Sequence, residues 1–141
     1  MDWITDSIVI GSYNDSQHVS EVRKARVQSI LRLIQANKGA DRDELGLQRL
    51  AVVPLIDGPG NDERCLRAAI DTLARLVEEM PPVLVHCRAG ISRAPTVVAG
   101  YLVKYEGMKL RNAFGLIRSK RQINVHGGLR ESLKELLAKE R

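Results

Sequence analysis

The 141-residue sequence predicts an α/β fold, a three-layer sandwich in which a central, mainly parallel sheet of four to five strands is flanked by helices. Three observations support this prediction. Short apolar runs alternate with segments of helical periodicity. The run VLVH at 83–86 is a short apolar strand of the kind buried in a parallel sheet. No repeat or long linker divides the chain, so residues 1–141 are predicted to form a single domain.

The first half of the chain follows this alternation. Strands are predicted at Ser7–Ile10, where Gly11 ends the run, and at Val27–Ile34 and Leu50–Leu55. Helices are predicted at residues 15–26 and, as a short element, within the polar residues 38–48. The sequence DGPG at 57–60 predicts a loop because of its glycine and proline content.

The second half is mainly helical. Asn61 is the predicted N-cap of a strong helix, and the acidic Asp62 and Glu63 follow in its first turn. Its apolar face has a spacing of three to four residues and consists of Leu66, Ile70, Leu73, Leu76, Val77 and Met80. Pro81 and Pro82 end this helix. Three more helices are predicted, from near Ser92 to about Tyr105, at Leu110–Lys120 and at Leu129–Lys139.

Composition and charge restrict the classes of ligand. A net charge of +5 favours anionic ligands without naming one. The basic residues are scattered and aromatic residues make up only 4% of the chain, so no nucleic acid partner is expected. The sequence shows no membrane-spanning run, no secretory leader and no C-terminal cysteine for lipidation, so no membrane anchor is expected. Two cysteines without zinc spacing predict a reduced, cytoplasmic protein that needs no metal or cofactor.

The stretch VLVHCRAGISRAP at 83–95 carries the chemical information, as a predicted strand, tight loop and helix. Ligands of open α/β sheets bind beyond the carboxyl ends of the strands, which is where Cys87 lies. Gly90 allows a sharp turn, after which the amides of residues 88–93 can converge on one anion, assisted by the helix N-terminus. Arg93 can add a two-pronged grip on phosphate oxygens.

The same positive field stabilises a thiolate at Cys87, and a thiolate facing a bound phosphate is a nucleophile aimed at phosphorus. A lone cysteine at a strand end is commonly a small buried residue. Here the glycine, the arginine and the strand-loop-helix context all agree with a catalytic loop instead.

The segment HCRAGISR matches the HCxxGxxR signature and therefore resembles the protein tyrosine and dual-specificity phosphatase superfamily. The similarity covers most of the chain, because ITDSIVIGS resembles the family's opening strand, VPLIDG its acid segment and GMKLRNAFGLIRSKR its later helical region. The short length resembles the dual-specificity branch. The SRAP and GMK…IRSKR segments also resemble the regenerating-liver type, whose prenylation box is not found in this sequence.

The resemblance implies a protein phosphatase that hydrolyses phosphotyrosine esters and could also accept phosphoserine or phosphothreonine esters. Cys87 would be the nucleophile, Arg93 the phosphate clamp, and His86 a residue that tunes the Cys87 thiolate without touching the phosphate. The predicted phosphate-binding positions are Arg88, Ala89, Gly90, Ile91, Ser92 and Arg93. The implied partners are a phosphorylated protein substrate and phosphate-like anions in the active site, and the oligomeric state stays open.

Cleavage of a phosphate monoester also calls for a general acid, because an unprotonated alkoxide or phenoxide leaves poorly. Asp57 is the predicted acid, since it follows a strand, lies in a loop and occupies the segment where the family places its acid. It could instead be a turn-forming aspartate. Asp62 is the competitor, although it suits the first turn of the following helix.

Four further residues are candidates for supporting roles in the site. Cys65 could pair with Cys87 but is expected to be an ordinary packed residue. Arg88 could bind a second negative charge or be solvated. His126 falls roughly where many relatives carry an asparagine that steadies the loop. Ala94 stands where most dual-specificity relatives have a serine or threonine, whose hydroxyl bonds the sulfur as it leaves phosphocysteine.

Three other functions are compatible with the sequence. The substrate could be a phosphoinositide, a phosphoglucan or an RNA 5′-phosphate, although the CRAGISR segment lacks the extra lysines common in lipid phosphatases. The chain could be a non-catalytic phosphate-binding module, or an enzyme of sulfur or arsenate chemistry with a similar cysteine loop.

Overall fold

The computed structural model describes residues 1–36 and 39–140 and contains a five-stranded sheet in the order β1-β2-β5-β3-β4. The strands are β1 (Asp2–Trp3), β2 (Ile8–Gly11), β3 (Ser29–Arg32), β4 (Arg49–Val52) and β5 (Val83–His86). Only β1 runs antiparallel, against β2, and the other pairs are parallel. The predicted α/β class with a mainly parallel sheet is confirmed.

Six helices are found in the described ranges. They are α1 (Tyr13–Gln17), α2 (Val19–Lys24), α3 (Glu63–Glu79), α4 (Arg93–Glu106), α5 (Leu110–Lys120) and α6 (Gly127–Lys139). None of these helices has the length and apolar character needed to cross a membrane.

The sheet separates two cores, because successive side chains of a strand point to opposite faces. On β5, Val83 and Val85 pack into the larger core, and Leu84 between them packs into the smaller one. The larger core takes the apolar faces of α3, α4, α5 and α6, whereas the smaller core is covered by Val22 of α2 and by Leu45. The sheet is therefore covered on both faces, as the three-layer prediction requires.

The helix predicted at 15–26 is divided at His18. A capping box starts α1 earlier than expected, since the side chain of Ser12 accepts from the Asp15 amide and the Asp15 carboxylate accepts from the Ser12 amide. The backbone of His18 then leaves the helical region, with φ −81° and ψ 84°, and α2 begins at the next residue. Helical periodicity could not show this break.

Other boundaries also differ from the sequence predictions. Strand β2 includes Gly11, and β3 and β4 are shorter than the predicted Val27–Ile34 and Leu50–Leu55. The short helix predicted within 38–48 is not present in residues 39–48, where residues 42–46 form turns, and Lys38 lies outside the described residues. The N-cap of α3 is Asp62 rather than Asn61, because the Asp62 carboxylate accepts a hydrogen bond of 2.8 Å from the amide of Arg64. The two-residue strand β1 was not predicted.

Candidate active site

Cys87 directly follows β5, which lies in the middle of the sheet between β2 and β3. The side chain is almost completely buried, and residues 88–92 then form a tight loop that leads into α4 at Arg93. We refer to this segment as the 87–93 loop. The central position of β5 places the loop at the carboxyl edge of the sheet, as the sequence predicted.

Four consecutive carbonyl groups of the 87–93 loop are bonded to groups outside it. Arg121 provides two of these bonds, with Nη2 donating to Ala89 O at 3.1 Å and Nε donating to Gly90 O at 2.8 Å. The flanking bonds are backbone contacts, from the Tyr13 amide to Arg88 O and from the Asn124 amide to Ile91 O. The outer side of the loop is thus fixed along its length.

This outward anchoring determines where the amides point. In a trans peptide the C=O of one residue and the N–H of the next point in opposite directions. The carbonyls of residues 88–91 point outward, so the N–H groups of residues 89–92 point to the other side. Within the described part of the chain these amides have no protein acceptor. They form a set of consecutive unpaired backbone donors of the kind that binds anions.

Gly90 is required at its position for two reasons. Its φ is +74°, a conformation that residues with a side chain rarely adopt. A Cβ atom added there would also lie 2.5 Å from the carbonyl oxygen of Gly11, which is backbone and cannot move aside. The glycine therefore allows the turn and lets the loop approach the end of β2.

Arg93 begins α4 and is held at one end of its guanidinium group. Its Nη1 donates to Leu55 O at 3.2 Å, while its Nε is buried and has no partner among the described residues. A buried N–H without an acceptor is costly. The Nε is therefore a donor that an anion in the loop could satisfy.

His86 is the last residue of β5 and is fully buried. Its Nε2 accepts a hydrogen bond of 3.0 Å from Nε of Arg32, so the ring proton of the neutral form is on Nδ1, which donates to Cys87 O at 2.9 Å. Burial, together with the positive charge of Arg32, lowers the pKa of His86 to about 4. His86 is thus neutral at pH 7 and holds the backbone of Cys87.

Asp57 is joined to the 87–93 loop through Ser92. The hydroxyl of Ser92 donates to Oδ1 of Asp57 at 2.5 Å and accepts from the amide of His126 at 3.0 Å. Since Ser92 is buried and Asp57 is exposed, the carboxylate lies at the solvent side of the loop. The structure thus brings together the predicted acid and the predicted phosphate-binding residues.

Asn61 organises the loop that carries Asp57. Its side chain accepts from the Ile56 amide at 2.7 Å and donates to the carbonyls of Ile56 at 2.8 Å and Gly58 at 3.2 Å. This use of the carboxamide explains why Asp62 caps α3 instead. Asp62 is therefore a capping residue at the start of α3.

The remaining predicted residues have clear positions. His126 is the N-cap of α6, where its Nδ1 accepts from the Gly128 amide at 3.0 Å. Arg88 is exposed at the start of the loop.

Both cysteines are free, and Cys65 is exposed on the first turn of α3, so the expectation that it is a packed residue is wrong.

Ala94 is fully buried in the first turn of α4, and the hydroxyls two residues before and after it, on Ser92 and Thr96, are used in other hydrogen bonds. The hydroxyl of Thr96 donates to Ser92 O at 2.8 Å, and that of Ser92 donates to Asp57. Both hydroxyl groups therefore donate to oxygen atoms and not to the sulfur of Cys87.

Sequence reasoning missed three residues that organise this site: Arg32, Asn61 as a loop residue, and Arg121. Arg121 comes from a basic segment, RSKR, which resembles a solvated helix end. In the structure it is half-buried and also pairs with Asp2 of β1 at 2.8 Å. The only signal in the sequence was the similarity of this segment to the family's later helical region.

The comparisons with known proteins agree with this geometry. Residues 8–139 match the family model described as the dual specificity phosphatase, catalytic domain. A curated relative, MAP kinase phosphatase with leucine-rich repeats protein 3 of Dictyostelium discoideum, is 50% identical over 58 residues, which is 40% of this chain and 7% of that protein. Dual specificity protein phosphatase 1 of Arabidopsis thaliana is 28% identical over 134 residues, which is 94% of this chain and 67% of that protein.

One solved structure, the human tyrosine phosphatase-like serine/threonine/tyrosine-interacting protein, superposes with a TM-score of 0.82 at 28% identity. The match covers 99% of this chain and 96% of that one. Of the Dictyostelium protein, by contrast, this chain spans less than a tenth of the length.

Proposed function

The chain belongs to the dual specificity phosphatase catalytic-domain family, and from this premise we propose that it hydrolyses phosphate monoesters of proteins through a phosphocysteine on Cys87. The single observation that carries the proposal is the 87–93 loop itself. The carbonyl groups of residues 88–91 are bonded to groups outside the loop, and the amides of residues 89–92 have no acceptor among the described residues. The loop begins at Cys87, whose side chain is buried. Such a set of donors suits the equatorial oxygens of a transferring phosphoryl group.

In the first step the thiolate of Cys87 attacks phosphorus. The S–P bond forms as the ester P–O bond breaks, and Asp57 gives its proton to the leaving oxygen. Nε and Nη atoms of Arg93 would hold two phosphoryl oxygens in the planar geometry that a guanidinium provides. The amides of residues 89–92 would stabilise the charge on the remaining oxygens.

In the second step water hydrolyses the phosphocysteine. The carboxylate of Asp57 takes a proton from water, the water oxygen bonds to phosphorus, and the S–P bond breaks. The products are inorganic phosphate, the Cys87 thiolate and protonated Asp57, so the cycle returns to its starting state. Ser92 supports this role because it holds Asp57 beside the loop.

Phosphotyrosine is the substrate that the rim of the site favours, with phosphoserine and phosphothreonine as further substrates. Ile91 in the loop is 38% exposed, and Ile56 before the acid is 56% exposed. Ile91 precedes Ser92 and Ile56 precedes Asp57 in the chain, so both exposed apolar side chains adjoin the Ser92–Asp57 contact and could pack against an aromatic ring. The proposed reaction uses no cofactor. Residues 1–141 would act as one catalytic domain. A cytoplasmic location stays a prediction.

The test is a substrate panel with a matched cysteine control. Wild type, Cys87→Ser and Cys65→Ser are assayed with an activated aryl phosphate, phosphotyrosine and phosphoserine peptides, phosphoinositides, a phosphoglucan and an RNA 5′-phosphate. We expect Cys87→Ser to be inactive and Cys65→Ser to resemble wild type, with phosphopeptides turned over fastest.

Two results would contradict the proposal. Fastest turnover of a lipid, glucan or RNA phosphate would replace the protein substrate. Binding of vanadate by wild type without turnover of any member of the panel would indicate a non-catalytic phosphate-binding module. The phosphatase-like structural neighbour makes this second outcome worth measuring.

A further inference from the structure

A groove of about 440 Å³ lies between α5 and α6, outside the proposed active site. Its cationic lining consists of Lys109, Arg111, Arg118, Arg130 and Lys134. Leu110 and Phe114 complete the lining, and no carboxylate takes part in it. We call this surface the α5/α6 groove.

The five cations of the α5/α6 groove have no ion-pair partner within the described part of the chain. The ion pairs there use other cations. Helix α5 contains no acidic residue. On α6, Glu131 and Glu135 do not line the groove, and among the described residues neither forms an ion pair with a groove cation.

The opposite situation is found where α3, α4 and α6 meet. There Lys104 pairs with Asp71 at 2.9 Å, and Arg67 pairs with Glu140 at 2.8 Å. The fold thus neutralises its cations on one face and leaves them unneutralised in the α5/α6 groove. Like charges held together repel one another, and an anion bound between them would relieve that repulsion.

Arg130 is held in place for such a contact. Its guanidinium carbon lies 4.5 Å from the centroid of the Phe114 ring, and the side chain is half-buried. A guanidinium stacked on a ring keeps its N–H groups in the plane, where they can bond a carboxylate through two parallel bonds. Because its orientation is already fixed, less side-chain entropy is lost on binding.

We propose that the α5/α6 groove binds an acidic segment of a partner protein, with carboxylates on the five cations and one apolar side chain over Leu110. A recessed groove with an apolar floor suits a peptide better than a membrane, which needs a protruding apolar surface. Single-stranded nucleic acids are held by stacking on exposed aromatic rings, whereas Phe114 is only 2% exposed. Charge complementarity and the groove shape thus favour a peptide.

The groove is continuous with the elements that support the 87–93 loop. Helix α6 begins beside His126, whose amide bonds Ser92, and Arg130 lies one turn further along. Helix α5 ends at Lys120, next to Arg121. An acidic segment bound here would hold its protein close to the proposed catalytic loop. Binding does not itself require catalysis, so the inference can be tested separately from the proposed activity.

The experiment measures binding of a short fluorescein-labelled peptide of glutamates with one central leucine, by fluorescence anisotropy at low and high salt. The full chain is compared with Arg130→Glu/Lys134→Glu and with the neutral pair Arg130→Gln/Lys134→Gln. The control is Lys24→Glu/Arg75→Glu, which reverses two exposed cations elsewhere that form no ion pair with any described residue. Circular dichroism establishes that each variant is folded.

We expect the reversed groove pair to bind about tenfold more weakly, with the neutral pair in between, because charges at an interface act through complementarity. The Lys24/Arg75 control should stay within about twofold, since exposed charges away from the contact contribute little. Equal weakening in both reversed pairs would overturn the groove as a specific site. Tighter groove-dependent binding of phosphatidylserine vesicles or of single-stranded DNA would overturn the peptide as its occupant.

Discussion

The hydroxyl of Ser92 donates a 2.5 Å hydrogen bond to the carboxylate of Asp57 and so connects the 87–93 loop to the loop that follows β4. The contact therefore brings the predicted general acid next to the predicted phosphate-binding loop.

Replacement of Asp57 by asparagine should slow substrates with poor leaving groups about 10²–10⁴-fold, because only these need a proton in the transition state. Activated aryl phosphates should be affected much less. The measurement is kcat/KM across a series of aryl phosphates of graded leaving-group acidity. The matched variant Asp62→Asn keeps a capping residue on α3 and should retain the wild-type dependence. The reverse pattern would move the acid to Asp62.

Replacement of Arg121 by methionine should weaken vanadate binding, because the carbonyls of Ala89 and Gly90 lose their donors and the loop amides lose their orientation. Hydrogen bonds to a charged group are worth about 1.5–3 kcal/mol, so a loss of tenfold or more is expected. Inhibition of aryl phosphate turnover by vanadate provides the measurement. The neighbouring exposed Lys120→Met is the control. Equal inhibition constants for Arg121→Met and wild type would show that Arg121 does not hold the loop.

The alanine at position 94 predicts that phosphocysteine forms faster than it is hydrolysed, since Ala94 has no hydroxyl and those of Ser92 and Thr96 donate elsewhere. Rapid-quench kinetics on an activated aryl phosphate should therefore show a burst followed by a slow steady state. Ala94→Ser should accelerate the second step about tenfold, given that roughly 1.4 kcal/mol corresponds to tenfold in rate.

Ala99→Ser is the matched control for that experiment, because Ala99 is another buried alanine of α4. It adds the same hydroxyl further along the helix and should leave the slow step unchanged. Absence of a burst in wild type, together with no gain in Ala94→Ser, would mean that Ala94 does not limit turnover.

The burial of His86 in its neutral form predicts that the free energy of unfolding decreases in acid. Its folded pKa is lowered from 6.5 to about 4, mainly by burial and further by the charge of Arg32. Between these values the unfolded chain binds more protons than the folded one, so stability is full above about pH 6.5 and decreases as the pH falls toward 4. The full effect is of order 3 kcal/mol, since one pKa unit is worth about 1.4 kcal/mol.

Thermal unfolding of wild type and His86→Asn from pH 7 to pH 4 tests this effect. The decrease in Tm should be shallower in His86→Asn, and exposed His18→Asn should follow wild type. Parallel curves for wild type and His86→Asn would show that His86 is not buried in the neutral form.

The strand and loop at 83–93 could be predicted from sequence because the information is local. An apolar run sets β5, Gly90 permits the turn, and the spacing of Cys87 and Arg93 sets the loop size. The helices after the loop were predicted closely for the same reason. Asp57 could not be placed by strand adjacency, because β3 lies between β4 and β5, and its approach to the 87–93 loop depends on the contact with Ser92.

The parts that were missed depend on contacts between distant residues. Arg121 reaches Gly90 over 31 positions, and Arg32 reaches His86 over 54. Asn61 and Asp62 are both good capping residues, and only the contact with Ile56 decides between them. Strand β1 is two residues long and has no periodicity, so it exists only through its pairing with β2.

The central claim is that Cys87 carries the phosphoryl group. Its most direct test is to quench the enzyme in acid during turnover of an aryl phosphate and to locate the phosphate by mass spectrometry, with Cys87→Ser and Cys65→Ser alongside. We predict phosphate on Cys87 in wild type and in Cys65→Ser, and none in Cys87→Ser. Phosphate on another residue, or turnover by Cys87→Ser at the wild-type rate, would contradict the phosphocysteine mechanism.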